Sequence, residues 1–169
     1  MRSIILLSGP VGAGKSTVAP ELIALSPQPV VYIEGDTFWW HIAKSETGSP
    51  NKKFKMIMTA MTAAALMYAL YGNEVILDFS IPPWFLDTAR KVVKDRVPID
   101  YVILRPSETI CAARAAERSE GKIADYLNYH DLYTSFDKAQ RYIIPDDNCS
   151  PADMAARIRE GVDEGIFRI

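Results

Sequence analysis

Gly9-Pro10-Val11-Gly12-Ala13-Gly14-Lys15-Ser16 completes a G-x-x-x-x-G-K-[ST] pattern. No other feature of the chain limits its fold as tightly, because such a loop works only between a buried strand and a helix. Glycines let the backbone curl until several N–H groups point inward at phosphate oxygens. The helix after the loop adds the positive end of its dipole. Both flanks fit: Ser3-Ile4-Ile5-Leu6-Leu7 is a short apolar run, and residues 15–25 read as a helix. The pattern therefore points to a nucleoside triphosphate with Mg²⁺. Lys15 is expected at the β- and γ-phosphates, the Ser16 hydroxyl on Mg²⁺, and Thr17 near the α-phosphate. ATP is expected over GTP, since no N-K-x-D motif is present to read a guanine. The bland alternative is a glycine-rich strand-to-helix turn with no ligand.

The rest of the chain repeats the strand–helix theme. Residues 3–7, 30–33, 75–77, 101–104 and 142–144 are short continuous apolar runs. Strands covered by helices on both faces of a parallel sheet look like this. Helices are expected over residues 15–25, 53–71, 84–95, 107–120, 123–139 and 151–163. Gly72-Asn73 ends the long helix, while Ser107-Glu108 after Pro106, and Ser150-Pro151, mark helix starts. Pro20 removes a backbone donor inside the first helix, so a mild kink is expected there. The alternation implies an α/β three-layer sandwich, with no linker, repeat or low-complexity segment.

Ligands of an open parallel sheet gather at the carboxyl ends of its strands. Ile33-Glu34-Gly35-Asp36-Thr37 lies at the end of the second. Asp36 is therefore expected near the γ-phosphate, where a carboxylate can orient an attacking hydroxyl or take its proton. Its alternative role is to cap the next helix. Glu34 is the weaker candidate. Asp78 ends the third strand, and Arg114 and Arg118 share one helix face. A strand-end turn residue for Asp78, and a solvated face paired with Glu117 and Glu120 for the arginines, are the plain alternatives. Phe38, Trp39, Trp40 and His41 follow Asp36, and Trp84 and Phe85 follow the third strand. Phe38, Trp39 and Trp84 are expected to build a flat apolar pocket for the acceptor, with ordinary packing as the alternative. Tyr126, Tyr129, His130 and Tyr133 recur at helical spacing and read as packing. Arg141 has no firm role beyond a possible approach to the adenine side.

This order of motifs resembles the small phosphotransferases of the nucleoside-monophosphate-kinase-like group, most of all its chloramphenicol phosphotransferase-like and gluconate or shikimate kinase-like branches. The resemblance is carried by GPVGAGKST, EGD, VILDFS, the Arg114/Arg118 helix and IIPDDNCSPADMAARI, and it covers nearly the whole length. It implies a P-loop NTPase with a five-stranded parallel sheet of order 2-3-1-4-5. It implies one domain over residues 1–169 with a lid at about 114–128. In such families the strand-two aspartate is the usual base, which falls on Asp36. An acidic residue at Asp78 lies near Mg²⁺ through water or near the substrate, and lid arginines reach the transferring phosphoryl group. One departure matters: Phe79-Ser80-Ile81-Pro82-Pro83-Trp84 lacks the Gly-x-Pro-Arg with which nucleotide kinases hold a nucleotide acceptor.

Composition excludes rather than selects. A formal net charge of −2 gives no reason to expect nucleic acid as a partner. Cys111 and Cys149 match no metal-ligand spacing and suit a reducing, cytoplasmic setting. The opening apolar run is too short for a signal peptide. The uncharged stretch from Met56 to Tyr71 is shorter than a usual membrane span. It suits a buried helix or the interface of a homodimer. The leading expectation is an ATP- and Mg²⁺-dependent kinase for a hydroxyl of a small molecule, such as an antibiotic, sugar acid or other metabolite. A nucleotide-binding switch without transfer chemistry and a toxin-like kinase are the alternatives.

Overall fold

β1 (Ile4–Ser8) is buried at every position, as a central parallel strand covered on both faces must be. The computed structural model describes residues 3–44, 49–118, 121–144 and 149–169. Among these, β1 pairs with β3 (Glu74–Asp78) on one side and β4 (Ile99–Leu104) on the other. β2 (Val30–Glu34) closes one edge and β5 (Ile143–Ile144) the other. The sheet is parallel throughout, in the order β2-β3-β1-β4-β5. The order expected from the resemblance is thus the order found. Leu7 and Glu34 both stand opposite Asp78 in the register. The carboxyl ends of β1, β2 and β3 are therefore level, and the loops leaving them open on one side.

Helices cover both faces. α1 (Lys15–Ala24) packs on α6 (Pro151–Asp163); α2 (Pro50–Leu70) packs on α3 (Leu86–Val93) and on β1, β2 and β3. α2 buries Ile57, Met58, Met61, Ala65, Leu66 and Ala69 and exposes Met56, Met67, Tyr68 and Leu70. It is a core helix, and no described helix is long and apolar enough to cross a membrane. α1 runs through Pro20. Ser107 and Ser150 act as the expected caps, accepting from Ile110 N at 3.3 Å and Asp153 N at 3.1 Å; Ser107 opens α4 (Glu108–Ala116).

Several expected boundaries shift. The long helix begins at Pro50 instead of residue 53, because Ser49 and Pro50 supply its cap and first position. The helix expected from residue 84 opens with a 3-10 turn, Pro83–Phe85, imposed by two prolines, and α3 follows it. The helix over 123–139 does not form as one piece. Residues there divide into a 3-10 turn Tyr126–Tyr129, a short α5 (His130–Ser135) and a second 3-10 segment, Phe136–Tyr142, broken at Ala139 (φ −131°, ψ 40°). The Asp125 carboxylate accepts from Leu127 N at 3.0 Å, a local turn that competes with a helix. Ser119, Glu120 and residues 145–148 of the IIPDDNCS segment lie outside the described residues.

Two buried carboxylates are paired rather than left bare. Glu74, 1% exposed, takes a two-pronged Arg159 from α6 at 2.9 and 2.6 Å. Asp100 in β4 takes Arg168 at 2.9 and 3.3 Å. That second pair ties the C-terminal segment back along β4, where Tyr101 N also donates to Phe167 O at 2.9 Å.

Candidate functional site

The loop after β1 is shaped by close approach. Gly9 and Gly12 have φ of +141° and +81°. A Cβ at Gly9 would lie 2.2 Å from Leu104 O, and one at Gly12 would lie 2.2 Å from Cys111 O. The loop is pressed against the end of β4 and the first turn of α4, so neither position accepts a side chain. Lys15 follows at the start of α1, 8% exposed. Its ammonium folds back over the loop, donating to Gly9 O at 3.2 Å, Pro10 O at 3.0 Å and Ser80 Oγ at 3.2 Å. Burial holds its pKa below the ordinary lysine value; the Asp78 carboxylate offsets part of that effect and the Arg118 guanidinium adds to it. The ammonium is thus held, and short of anionic partners, where phosphate oxygens would supply them.

Ser16 donates to Asp78 Oδ2 at 2.7 Å, and Tyr32 from β2 donates to the same oxygen at 3.0 Å. Asp78 is 5% exposed. The chain beyond it is pinned: Ser8 Oγ donates to Ile81 O at 2.8 Å and accepts from Ile81 N at 2.9 Å, and the Tyr101 hydroxyl donates to Ile81 O at 2.6 Å. These bonds hold Phe79 and Ser80 over the sheet end. Asp36 sits in the first turn of a 3-10 helix, Gly35–His41. Glu34 holds the cap position of that helix, and no side chain caps it.

Lys15, Ser16, Asp36, Asp78, Phe79 and Ser80 open on one cavity of about 860 Å³. Val11, Gly12, Ala13, Gly14, Lys15, Ser16 and Thr17 line it, while Gly9 and Pro10 of the same loop do not. Asp36, Trp39 and Asp78, from the chain at the ends of β2 and β3, also line it, as do Arg114, Arg118 and Lys122 from α4 and the chain after it. Arg114 Nη1 lies 3.6 Å from where a Gly14 Cβ would be, beside the phosphate loop.

Phe38 and Trp84 do not reach the cavity. Three successive residues of a 3-10 helix point about 120° apart, so of Phe38, Trp39 and Trp40 only Trp39 faces it. Phe38 turns to a separate recess between β2 and α2, its ring 5.5 Å from that of His41. Trp84 stands behind Phe54, ring centroids 6.3 Å apart. Phe54, Phe79 and Ser80 line the cavity, and sequence reasoning does not single them out. Phe54 comes from α2 and no local motif marks it; the Phe79-Ser80 pair stands out in the sequence only as a departure from a nucleotide-kinase pattern.

The segment after α4 is anchored to the loop. Tyr126 donates to Val11 O at 2.7 Å, and Tyr133 donates to Pro106 O at 3.0 Å with the Arg105 guanidinium 4.4 Å above its ring. Tyr126 and Tyr133 therefore pack, as their spacing suggested, while Tyr129 also lines the cavity. Arg141 lies over Tyr142 and donates to Arg168 O, away from the cavity. Cys111 and Cys149 are free thiols, and burial pushes Cys111 up to about 11.

A family model described as an AAA domain matches residues 4–130. No curated protein matches the chain. Among solved structures, the tunicamycin resistance protein of Deinococcus radiodurans superposes with a TM-score of 0.71 at 18% identity, covering 98% of this chain and 97% of that one. APS kinase of Mycobacterium tuberculosis, in complex with AMPPNP and APS, gives 0.67 at 15% identity over 95% and 97%. Shikimate kinase from Acinetobacter baumannii, in complex with shikimate, gives 0.63 at 18% over 96% and 93%. At these identities the likeness establishes the fold, a P-loop kinase-like one.

Proposed function

The chain belongs to this AAA-domain family, and from that premise we propose that it is an ATP- and Mg²⁺-dependent phosphotransferase that moves the γ-phosphate to a hydroxyl of a small molecule. One observation carries the reading: the phosphate loop, Asp36, Asp78 and the arginines Arg114 and Arg118 open on a single cavity. A nucleotide-binding switch needs the loop and a carboxylate for Mg²⁺, but not Asp36 or the arginine pair.

The residues present fit a bound Mg²⁺. Its preferred partners are a few protein oxygens, phosphate oxygens and water, and the Ser16 hydroxyl and Asp78 carboxylate meet at 2.7 Å beside the loop. Held by the Ser16 hydroxyl and the Asp78 carboxylate, the ion would supply positive charge to offset that of the phosphates. In the reaction, backbone N–H groups of the loop hold the phosphates and Lys15 exchanges its carbonyl partners for β- and γ-oxygens. Asp36 takes the proton of the acceptor hydroxyl as that oxygen bonds to the γ-phosphorus. The bond to the β,γ-bridging oxygen breaks and ADP leaves. Arg114 and Arg118 stabilise the charge spread over the transferring group, with residues 114–128 acting as the lid that carries them.

The test is Asp36→Asn, read as ADP release in a screen of small hydroxyl compounds. Transfer should fall by about 10²–10⁴ while nucleotide binding persists. Transfer at the parent rate would remove Asp36 from the mechanism. Tight nucleotide binding with no compound consumed would favour the switch.

A further inference from the structure

We propose that the acceptor is an uncharged hydroxyl compound bearing a flat ring, held against Trp39 and Phe54, and not an anion such as a sugar acid or a nucleotide. The inference rests on the phosphotransferase reading, because it assigns the acceptor half of the same cavity.

That half lies at the carboxyl ends of β2 and β3. There the Trp39 and Phe54 rings are near-parallel, with centroids 6.5 Å apart and an interplanar angle of 13°. Phe79 stands 5.5 Å from Phe54, and all three line the cavity next to Asp36. Trp84 supports Phe54 from behind, so the wall is braced rather than a set of loose side chains. Trp39 keeps 38% of its surface exposed. A flat ring laid on this wall would cover aromatic surface that water now covers.

Charge points the same way. The cations among the described residues lining the cavity are Lys15, Arg114, Arg118 and Lys122. Each belongs to the phosphate loop or to the chain after β4. Lys15 is turned onto the loop itself, and Arg114 lies beside Gly14. The phosphotransferase reading gives three of them, Lys15, Arg114 and Arg118, to the phosphates. The β2/β3 side offers two carboxylates, Asp36 and Asp78, with Ser80 and three aromatic rings. A carboxylate or phosphate on the acceptor would face the Asp36 carboxylate in a partly desolvated cleft. A neutral ring meets no such penalty and leaves Asp36 free to serve the hydroxyl.

The experiment measures equilibrium binding to the intact protein in saturating Mg·AMPPNP, by tryptophan fluorescence and saturation-transfer NMR. Two matched pairs serve as probes: uridine against UMP, and 1-phenyl-1,2-ethanediol against mandelate. The neutral member of each pair should bind at least tenfold tighter. Trp39→Ala should weaken it about tenfold, with the AMPPNP Kd changed by less than about twofold. Phe54→Leu keeps an apolar side chain without a flat face and should do the same. Tighter binding of either anion, no binding by any probe, or neutral binding indifferent to both variants overturns the inference. The two readings fail separately. Phosphate transfer to gluconate would leave the phosphotransferase standing and sink the neutral acceptor. Ring compounds that bind on Trp39 and Phe54, in a protein that releases no ADP with any hydroxyl compound, would do the reverse.

Discussion

Tyr32 and Ser16 donate to the same oxygen of Asp78, at 3.0 and 2.7 Å. Tyr32 comes from the edge strand and Ser16 from the first turn of α1, so the carboxylate joins two elements that do not pair. Burial, reinforced by Asp78, raises the Tyr32 pKa and keeps the phenol a donor. Losing a partner that orients a metal-ligating carboxylate costs about 10–100-fold in metal affinity. Tyr32→Phe is therefore expected to raise the Mg²⁺ concentration needed for half-maximal nucleotide binding by at least tenfold, with little change in Tm. An unchanged Mg²⁺ requirement would reduce Tyr32 to an edge residue.

Lys15 carries its charge against the pull of burial. Its pKa is lowered mainly by burial, which means that folding penalises the charged form. Lys15→Met removes that penalty and keeps the stem. The ligand-free protein is expected to melt at the same temperature or higher. Nucleotide at about a hundred times the parent Kd should no longer add the roughly 2.7 kcal/mol that saturation gives. Differential scanning fluorimetry with and without Mg·ATP reads both. A large loss of stability without ligand would show that the loop needs the ammonium as a structural brace.

Glu74 and Arg159 make the opposite case. The carboxylate is 1% exposed and accepts two bonds from the guanidinium; those bonds are the main reason that the Arg159 pKa rises. Arg159→Met strands a buried charge and should cost about 3–5 kcal/mol in urea unfolding. The double variant Arg159→Met with Glu74→Met should recover most of that loss.

His130 gives a pH signature. Its Nδ1 lies 2.8 Å from Glu108 Oε1, and that hydrogen bond, then the carboxylate's charge, raises its pKa above the ordinary 6.5. A base whose folded pKa is raised stabilises the fold fully below its unfolded pKa. The contribution is lost as pH rises through the folded pKa. The anchoring of α5 to α4 should therefore loosen as pH rises through the raised folded pKa. NMR titration of the His130 ring should give a midpoint above 6.5 that returns toward it in Glu108→Gln.

Much of the architecture was legible because its signals are local. Continuous apolar runs mark strands wherever both faces are covered, and β1, β3 and β4 were found within a residue or two. Residues 123–139 misled because tyrosines spaced like a helix face are held instead by distant partners: Tyr126 by Val11 and Tyr133 by Pro106. Most of the loop's share of the cavity, Val11 to Thr17, was legible because one contiguous motif builds it, although Gly9 and Pro10 do not line it. The acceptor wall was not. Trp39 was found with Phe38, but which of two neighbours faces the cavity depends on a 3-10 rather than an α-helical turn. Phe54 arrives from a helix whose packing no local pattern reveals.

β1 leads directly into the phosphate loop, yet Ile4 finds its neighbours at Val75 and Ile99. At synthesis rates of about 5–20 residues per second, an apolar pentapeptide waits on the order of ten seconds before either flank is covered. The loop cannot take its shape sooner, because Gly9 and Gly12 are seated against Leu104 and Cys111. Nucleotide can therefore reward only chains that have already emerged past α4. Until then the nascent strand carries unpaired edges of the kind that can pair with copies of itself.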